Sequence, residues 1–272
     1  MSDEALNGKY EVLKSELRTH RKLAIAFSGG VDSTFLLYAT HEALGDNVAA
    51  VTAVSALSPA REMDETRAFC NKHGIRHIEV TYDPLADGEF VSNPANRCYV
   101  CKKRLFAAMV KTAEDNGIFK IAEGSNLDDE GDYRPGLKAL DEMKILSPLR
   151  EYGFRKKEIR ELSRFFDLPT WDKPSYACLA TRIPYGETID AAKLNLIEKA
   201  ENYLMELGFR EVRVRVYGTI NARIELNPND FSRFMRGDVR LEVNQVLKKM
   251  GFGFVSLDLQ GYRTGSLNEV LK

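Results

Sequence analysis

Phe27-Ser28-Gly29-Gly30-Val31-Asp32-Ser33 closes the apolar run Leu23-Ala24-Ile25-Ala26-Phe27 and opens into Thr34 to Leu44, where apolar residues recur at helical spacing. An apolar run ended by Ser-Gly-Gly and continued with that periodicity reads as a strand, a tight loop and a helix N-terminus. Glycines let backbone N–H groups close around an anion, and the start of a helix leaves unpaired N–H groups and a partial positive charge at the same place. The stretch is therefore expected to bind phosphate. It carries hydroxyls and a carboxylate but no lysine, which separates it from the G-x-x-x-x-G-K-[ST] loop that grips a terminal phosphate.

Outward from the loop, the chain alternates strands and helices. Residues 4–20, with Leu6, Tyr10, Leu13 and Leu17 three or four apart, predict an amphipathic helix that covers one face of a sheet. Asn47 to Val54 reads as a buried parallel strand ending at Ser55, Pro59 to His73 as a helix stopped by Gly74, and Ile75 to Tyr82 as a third strand. The loop Asp83 to Asn96 leads into Arg97 to Lys103, which carries Cys98 and Cys101, and from there into an amphipathic helix with Leu105, Phe106, Met109 and Val110. Ile118 to Gly124 gives a fourth strand, Ile145 to Leu149 a fifth, and Arg155 to Phe166 a helix. This order predicts an α/β fold, a five-stranded parallel sheet flanked by helices, over residues 1–168. Ligands of such sheets bind beyond the carboxyl ends of the strands, so the first loop, Ser55 and Gly124 to Asn126 are expected along one rim. Residues 169–188, broken by Pro169, Pro174 and Pro184, read as a functional linker, and residues 189–272 as a small α+β domain.

The 272 residues are 44% hydrophobic, enough for a full core, and 39 basic against 40 acidic residues leave a formal net charge of −1. That balance lacks the basic field of non-specific nucleic-acid binders. No apolar stretch approaches membrane-spanning length and no signal peptide is read, so the expected setting is the cytoplasm, with neither a membrane nor a nucleic acid as partner.

Four cysteines are present. Cys70 sits in a helical apolar context beside Phe69 and is expected in the core. Cys98 and Cys101 form a C-x-x-C pair at a helix start, and Cys178 lies in the linker. Three thiolates could hold a [4Fe–4S] cluster with one iron left open, whereas a structural zinc site is closed by four ligands and His73 and His77 lie in a core-forming stretch. A redox pair with a lowered thiol pKa, zinc, and inert thiols stay open on spacing alone. Arg213 and Arg215 alternate on one strand and so share a face, as suits bidentate phosphate binding or a solvated strand surface.

The Ser28-to-Ser33 motif resembles the PP-loop of ATP pyrophosphatases. Over nearly the whole chain, the stretches Asp132 to Lys138, Arg182-Ile183-Pro184-Tyr185-Gly186, Val212 to Arg215, Ala222 to Glu225 and Leu257 to Arg263 resemble the LarE-type family of ATP-dependent sulfur transferases. The resemblance implies that a substrate oxygen attacks the α-phosphate of ATP and pyrophosphate leaves. It places ATP on Phe27, Ser28, Gly29, Gly30, Asp32, Ser33, Ser55 and Gly124, with Asp32 helping to place Mg²⁺. The implied substrate is pyridinium-3,5-biscarboxylate mononucleotide, a small molecule whose carboxylates are adenylylated and then converted to thiocarboxylates. The substrate is expected on Thr181, Arg213 and Arg215, with Arg182 and Lys102 or Lys103, beside Cys178 and Cys101, steering the anion; Glu201 and Glu225 match family positions and would bind a divalent ion or orient an arginine, unless they are ordinary surface carboxylates. Cys98, Cys101 and Cys178 match the form of the family that holds a [4Fe–4S] cluster, with a sulfide source as a further partner and a homo-oligomer as the expected assembly. The other form gives up the sulfur of a single linker cysteine, here Cys178, and is left with dehydroalanine. Competing functions are a PP-loop tRNA thiolase and a non-catalytic nucleotide-binding or iron–sulfur scaffold.

Overall fold

The computed structural model describes residues 3–131, 135–174, 178–263 and 265–271. Asp132, Tyr133 and Arg134 of the family-like stretch and residues 175–177 of the linker lie outside these. The chain divides into two compact units, one made of residues 1–82 and 98–176, the other of residues 83–97 and 177–272.

The first unit begins with α1 (Asp3–Arg18) and β1 (Leu23–Ala26), followed by α2 (Val31–Leu44), β2 (Val48–Val54), α3 (Ala60–His73) and β3 (Arg76–Thr81). Residues 83–97 contribute α4 (Gly88–Val91) to the second unit. The first unit then resumes with α5 (Arg97–Asp115), β4 (Ile121–Ala122), α6 (Pro135–Glu142), α7 (Pro148–Glu151) and α8 (Lys156–Phe165). Four parallel strands stand in the order β3-β2-β1-β4. The expected fifth strand is reduced to one parallel bridge, Leu146 to Ala122. Ser147 and Pro148 explain the shortening: proline has no N–H for a ladder and takes the first position of α7 instead.

Alternation along β1 builds a core on each side of the sheet. Leu23 and Ile25 join Leu13, Leu17, Phe35, Leu36, Phe154, Ile159 and Leu162. Ala24 faces the other way, among Val51, Phe106, Met109, Ile121 and Leu140. Helices cover both faces of β1, whose first three residues are buried, and its carboxyl end feeds the Ser28-to-Ser33 loop. Among the described residues, no helix is long and apolar enough to cross a membrane.

The second unit contains α9 (Ala191–Glu206), β5 (Val212–Tyr217), β6 (Asn221–Leu226), α10 (Phe231–Phe234), α11 (Gly237–Met250) and β7 (Phe254–Leu257). Asp190 caps α9 by accepting the Lys193 N–H at 2.8 Å. Its sheet runs β5-β6-β7, antiparallel then parallel. Segment 83–97 joins this unit through Asn93, fully buried, whose side-chain amide donates to the carbonyls of Ile183, Pro184 and Glu187.

Candidate active site

The loop is built as an open anion cradle. β1 pairing extends one residue beyond the strand, with Phe27 N–H donating to the Val51 carbonyl at 2.9 Å and Thr52 Oγ1 donating to the Phe27 carbonyl at 2.8 Å. His77 Nε2 lies 2.8 Å from Thr52 Oγ1, whose only proton is committed to Phe27, so this ring nitrogen is the donor. Gly29 then turns at φ +70°, a conformation that L side chains rarely adopt, with Thr66 Cγ2 3.0 Å from where a β-carbon would stand. α2 starts after Gly30, an N-cap residue with no side chain to cap the first turn. Ser28 and Ser33 face each other, Oγ to Oγ 3.2 Å, and Ser33 Oγ also donates to the Gly30 carbonyl. Uncapped N–H groups and two hydroxyls converging on one point are what a phosphate chain requires.

Asp32 occupies the first turn of α2. Burial raises its carboxyl above the ordinary range, against the opposing pull of Lys156. Lys156 Nζ takes Oδ2 at 2.5 Å, whereas Oδ1 is buried with no hydrogen-bond partner among the described residues. An orphaned, desolvated carboxylate oxygen beside a phosphate cradle fits a hard cation such as Mg²⁺, which favours carboxylate ligands alongside substrate phosphates. A second cation reaches the loop from the segment after α8: Lys173 Nζ donates to the Gly29 carbonyl at 2.9 Å and pairs with Glu65 at 2.5 Å. Neither lysine is marked in the sequence. Both are more than a hundred residues from the loop, and no motif singles them out.

The rim expected from strand ends is present in the first unit. Ser55 Oγ accepts the Leu57 N–H at 3.2 Å at the end of β2. After β4, buried Glu123 accepts from Ser125 N–H, Ser125 Oγ and Ser147 Oγ at 2.7–3.0 Å, fixing Gly124 against the loop. A β-carbon on Gly124 would stand 2.9 Å from Ser33 N and 3.1 Å from the Asp32 carbonyl carbon. β4 and α2 can touch so closely only through glycine.

Cys98 and Cys101, three apart in α5, share one face of its first turns; Cys98 is exposed and Cys101 half-buried, with Tyr82 Oη 3.9 Å from its sulfur. Lys102 packs along Gly136, where a β-carbon would stand 2.7 Å from its Cδ. Its neighbour Lys103 bonds Tyr99 at 2.9 Å and Glu142 at 3.2 Å. Cys70 differs from the other thiols, being fully buried with its pKa pushed up to about 12 by burial.

The remaining expected residues form one network in the second unit. Exposed Cys178 opens the turn Leu179–Arg182, and its carbonyl accepts from Thr181 N–H, Thr181 Oγ1 and Arg182 Nη1 at 2.7–3.1 Å. Arg182, only 1% exposed, makes a bidentate pair with Glu201, both bonds 2.8 Å, and Glu201 also accepts the Val214 N–H at 2.9 Å. Burial alone would raise the Glu201 pKa, but Arg182, Arg213 and the Val214 N–H together hold it below its usual value. Arg215 forms a second bidentate pair with Glu225 at 2.8 and 2.9 Å and reaches the Thr181 carbonyl and Ser266 Oγ. Arg213 donates to Tyr262 Oη at 3.1 Å and lies 4.9 Å from that ring's centroid. Burial, then the charge of Arg182, lowers its pKa, so its charged form would gain from a nearby anion. Glu201 and Glu225 thus orient arginines in this structure.

Among the described residues, no group of three or more His, Cys, Asp or Glu is arranged to hold a metal ion. Thiolate is the donor type of an iron–sulfur cluster, and of the three non-core cysteines Cys98 and Cys178 are exposed and Cys101 is half-buried. Cys98 and Cys101 belong to the first unit and Cys178 to the second.

Residues 3–96 match the PP-loop domain family. The chain is 41% identical over 98% of its length to an uncharacterized protein of Synechocystis, covering 99% of that protein. It is 36% identical over 97% of its length to pyridinium-3,5-bisthiocarboxylic acid mononucleotide synthase of Lactiplantibacillus plantarum, covering 95% of that enzyme. A more distant similarity, 25% over 54% of the chain and 52% of the relative, is to a component of the glutamine-hydrolysing GMP synthase of Archaeoglobus fulgidus.

Proposed function

Because the chain belongs to the LarE-type family of PP-loop ATP-dependent sulfur transferases, we propose that it converts the carboxylates of pyridinium-3,5-biscarboxylic acid mononucleotide to thiocarboxylates, releasing AMP and pyrophosphate. The observation that carries this reading is the Ser28-to-Ser33 cradle, with its uncapped helix start and the orphaned Asp32 oxygen. Such a cradle suits cleavage between the α- and β-phosphates, because it holds the departing pyrophosphate and leaves the α-phosphate accessible to a substrate oxygen. The carboxylate oxygen forms a bond to the α-phosphorus as the bond to pyrophosphate breaks, giving an acyl adenylate. Sulfur then attacks the acyl carbon, and AMP leaves.

Phe27, Ser28, Gly29, Gly30, Ser33, Ser55 and Gly124 line the nucleotide site in this proposal, and Asp32 offers Oδ1 to Mg²⁺, which would screen the phosphate charge. In the second unit, Arg213 and Arg215 hold the mononucleotide phosphate with Thr181 and Arg182 alongside, and Glu201 and Glu225 set the guanidinium planes. Two bidentate pairs fix those planes before any ligand arrives, so little ordering remains to be done on binding. Lys102, next in sequence to Cys101, would steer the anionic substrate.

For the sulfur, Cys98, Cys101 and Cys178 would hold a [4Fe–4S] cluster, which supplies an iron position open to an exogenous sulfide. The exposure of Cys178 also supports a second reading, in which it surrenders its own sulfur. A homo-oligomer and a separate sulfide source complete the proposal. Anaerobic incubation with ATP and the biscarboxylate mononucleotide tests it. Substrate-dependent release of AMP and pyrophosphate with oxygen-for-sulfur exchange is expected, and dehydroalanine at position 178 would decide for the sacrificial route. Modification of bulk tRNA instead would overturn the small-molecule assignment.

A further inference from the structure

The parallel ladder of β1 and β2 stops at the first residue of the loop. Phe27 N–H makes its last bond, to the Val51 carbonyl, and the Phe27 carbonyl lies beyond it with no backbone donor among the described residues. Phe27 is 2% exposed, so that carbonyl would be orphaned away from water. Thr52, itself buried and next along β2, supplies the missing donor: its Oγ1 donates to the Phe27 carbonyl at 2.8 Å and accepts from His77 Nε2 of β3, also at 2.8 Å. The His77 ring packs edge-on to the Phe27 ring, their centroids 6.5 Å apart. A hydroxyl bonded on both sides in this way is locked in one direction.

A trans peptide holds its C=O and N–H on opposite sides of one plane, so fixing the Phe27 carbonyl turns the Ser28 N–H the other way. That N–H points to Ser33 Oγ at 3.4 Å, on the side where the Ser28 and Ser33 hydroxyls meet. The contact is longer than the usual N–H···O range of about 2.7–3.2 Å, and a phosphate oxygen can take its place. The next carbonyl, of Gly29, is drawn aside in the same manner by Lys173.

We propose that Thr52, locked by His77, is a positioning residue of the nucleotide site: it holds the Phe27 carbonyl so that the Ser28 N–H is turned to the pyrophosphate part of ATP before ATP arrives. The proposal rests on the reading of the loop as an ATP site given above. Neither Thr52 nor His77 touches the nucleotide, and no bond to either forms or breaks in the reaction.

Inorganic pyrophosphate, ATP and AMP, each with Mg²⁺, titrated calorimetrically into the full chain, test it. T52V keeps the shape of the side chain and removes the donor. It should weaken pyrophosphate and ATP binding by about 10-fold, because an N–H that bonds a charged acceptor must now be ordered on binding or is lost to it. AMP, which lacks the pyrophosphate group, should bind T52V as it binds wild type. T52S keeps the hydroxyl and should restore wild-type binding of all three, whereas H77F, which leaves Thr52 its own bond to Phe27, should fall between wild type and T52V. T52A replaces T52V if the latter does not fold. A T52V protein that melts at lower temperature but binds pyrophosphate as wild type does, or that loses AMP as much as pyrophosphate, would overturn the proposal and leave Thr52 a support for the strand end. A wild-type protein that binds neither ATP nor pyrophosphate would instead overturn the reading of the loop as an ATP site, and the proposal with it.

Discussion

Gly124→Ala is the substitution that most sharply probes the seam between sheet and loop. The added methyl would stand 2.9 Å from Ser33 N, 3.1 Å from the Asp32 carbonyl carbon and 3.1 Å from Ser33 Cα, and all three are backbone atoms that cannot rotate aside. Restoring an ordinary contact of 3.4 Å at the closest approach requires the first turn of α2 to retreat by about 0.5 Å. Overpacking of this kind destabilises by about 1–3 kcal/mol, with about 2–4 °C of melting temperature per kcal/mol in a chain of this size. The same retreat should cost about 10-fold in rate, because that turn carries both Asp32 and Ser33, and misplacing such groups costs about 10²-fold for each ångström. Differential scanning fluorimetry and pyrophosphate release therefore give separate readings of the same displacement. Gly8→Ala is the control: in α1, with nothing within 4 Å of the added methyl, it should stabilise by about 0.5–1 kcal/mol and leave the rate unchanged. A Gly124→Ala protein with wild-type melting and wild-type rate would refute the reasoning.

Glu201→Ala should destabilise by about 3–5 kcal/mol, since it strands buried Arg182, and urea unfolding at neutral pH measures it. The same carboxylate gives a pH signature. Its folded-state pKa is held down, so its contribution is complete above the unfolded value of about 4.3 and is lost as pH falls through the folded one; the curve of stability against pH should flatten in Glu201→Gln. Maleimide should label Cys98, Cys101 and Cys178 in the native, metal-free, reduced protein, and Cys70 only after denaturation, as counted by intact mass. Asp32→Asn should abolish Mg²⁺-dependent pyrophosphate release while preserving the fold, because it removes the buried charge beside Lys156; circular dichroism checks the fold and phosphate detection the loss.

The strand, loop and helix around Phe27 to Ser33 are legible in the sequence because local signals there agree: an apolar run, two glycines and a helical period. The capped α9 and the alternating β5 are legible for the same reason. The fifth strand falls short because Ile145-Leu146 has strand chemistry for only two residues before Ser147-Pro148 imposes a helix start. Segment 83–97 shows no periodicity that could reveal its unit, since long-range bonds tie it there: the Asn93 amide to three carbonyls, the Ile189 N–H to the Val91 carbonyl, and Arg97 to the Ile183 carbonyl. Within the site, the shared strand of Arg213 and Arg215 can be foreseen, but their burial and the pairing of Arg215 with Glu225 cannot, because strand periodicity does not fix register. Lys156 and Lys173 are hidden by separations of 124 and 144 residues from their partners Asp32 and Gly29.

The most direct test of the central claim is a single-turnover, anaerobic mass-spectrometric assay of the pyridinium biscarboxylate mononucleotide with ATP, Mg²⁺, a sulfide source and the reconstituted protein. One AMP and one pyrophosphate for each carboxylate oxygen exchanged for sulfur is the result expected. A mononucleotide recovered unchanged while ATP remains intact would contradict the account.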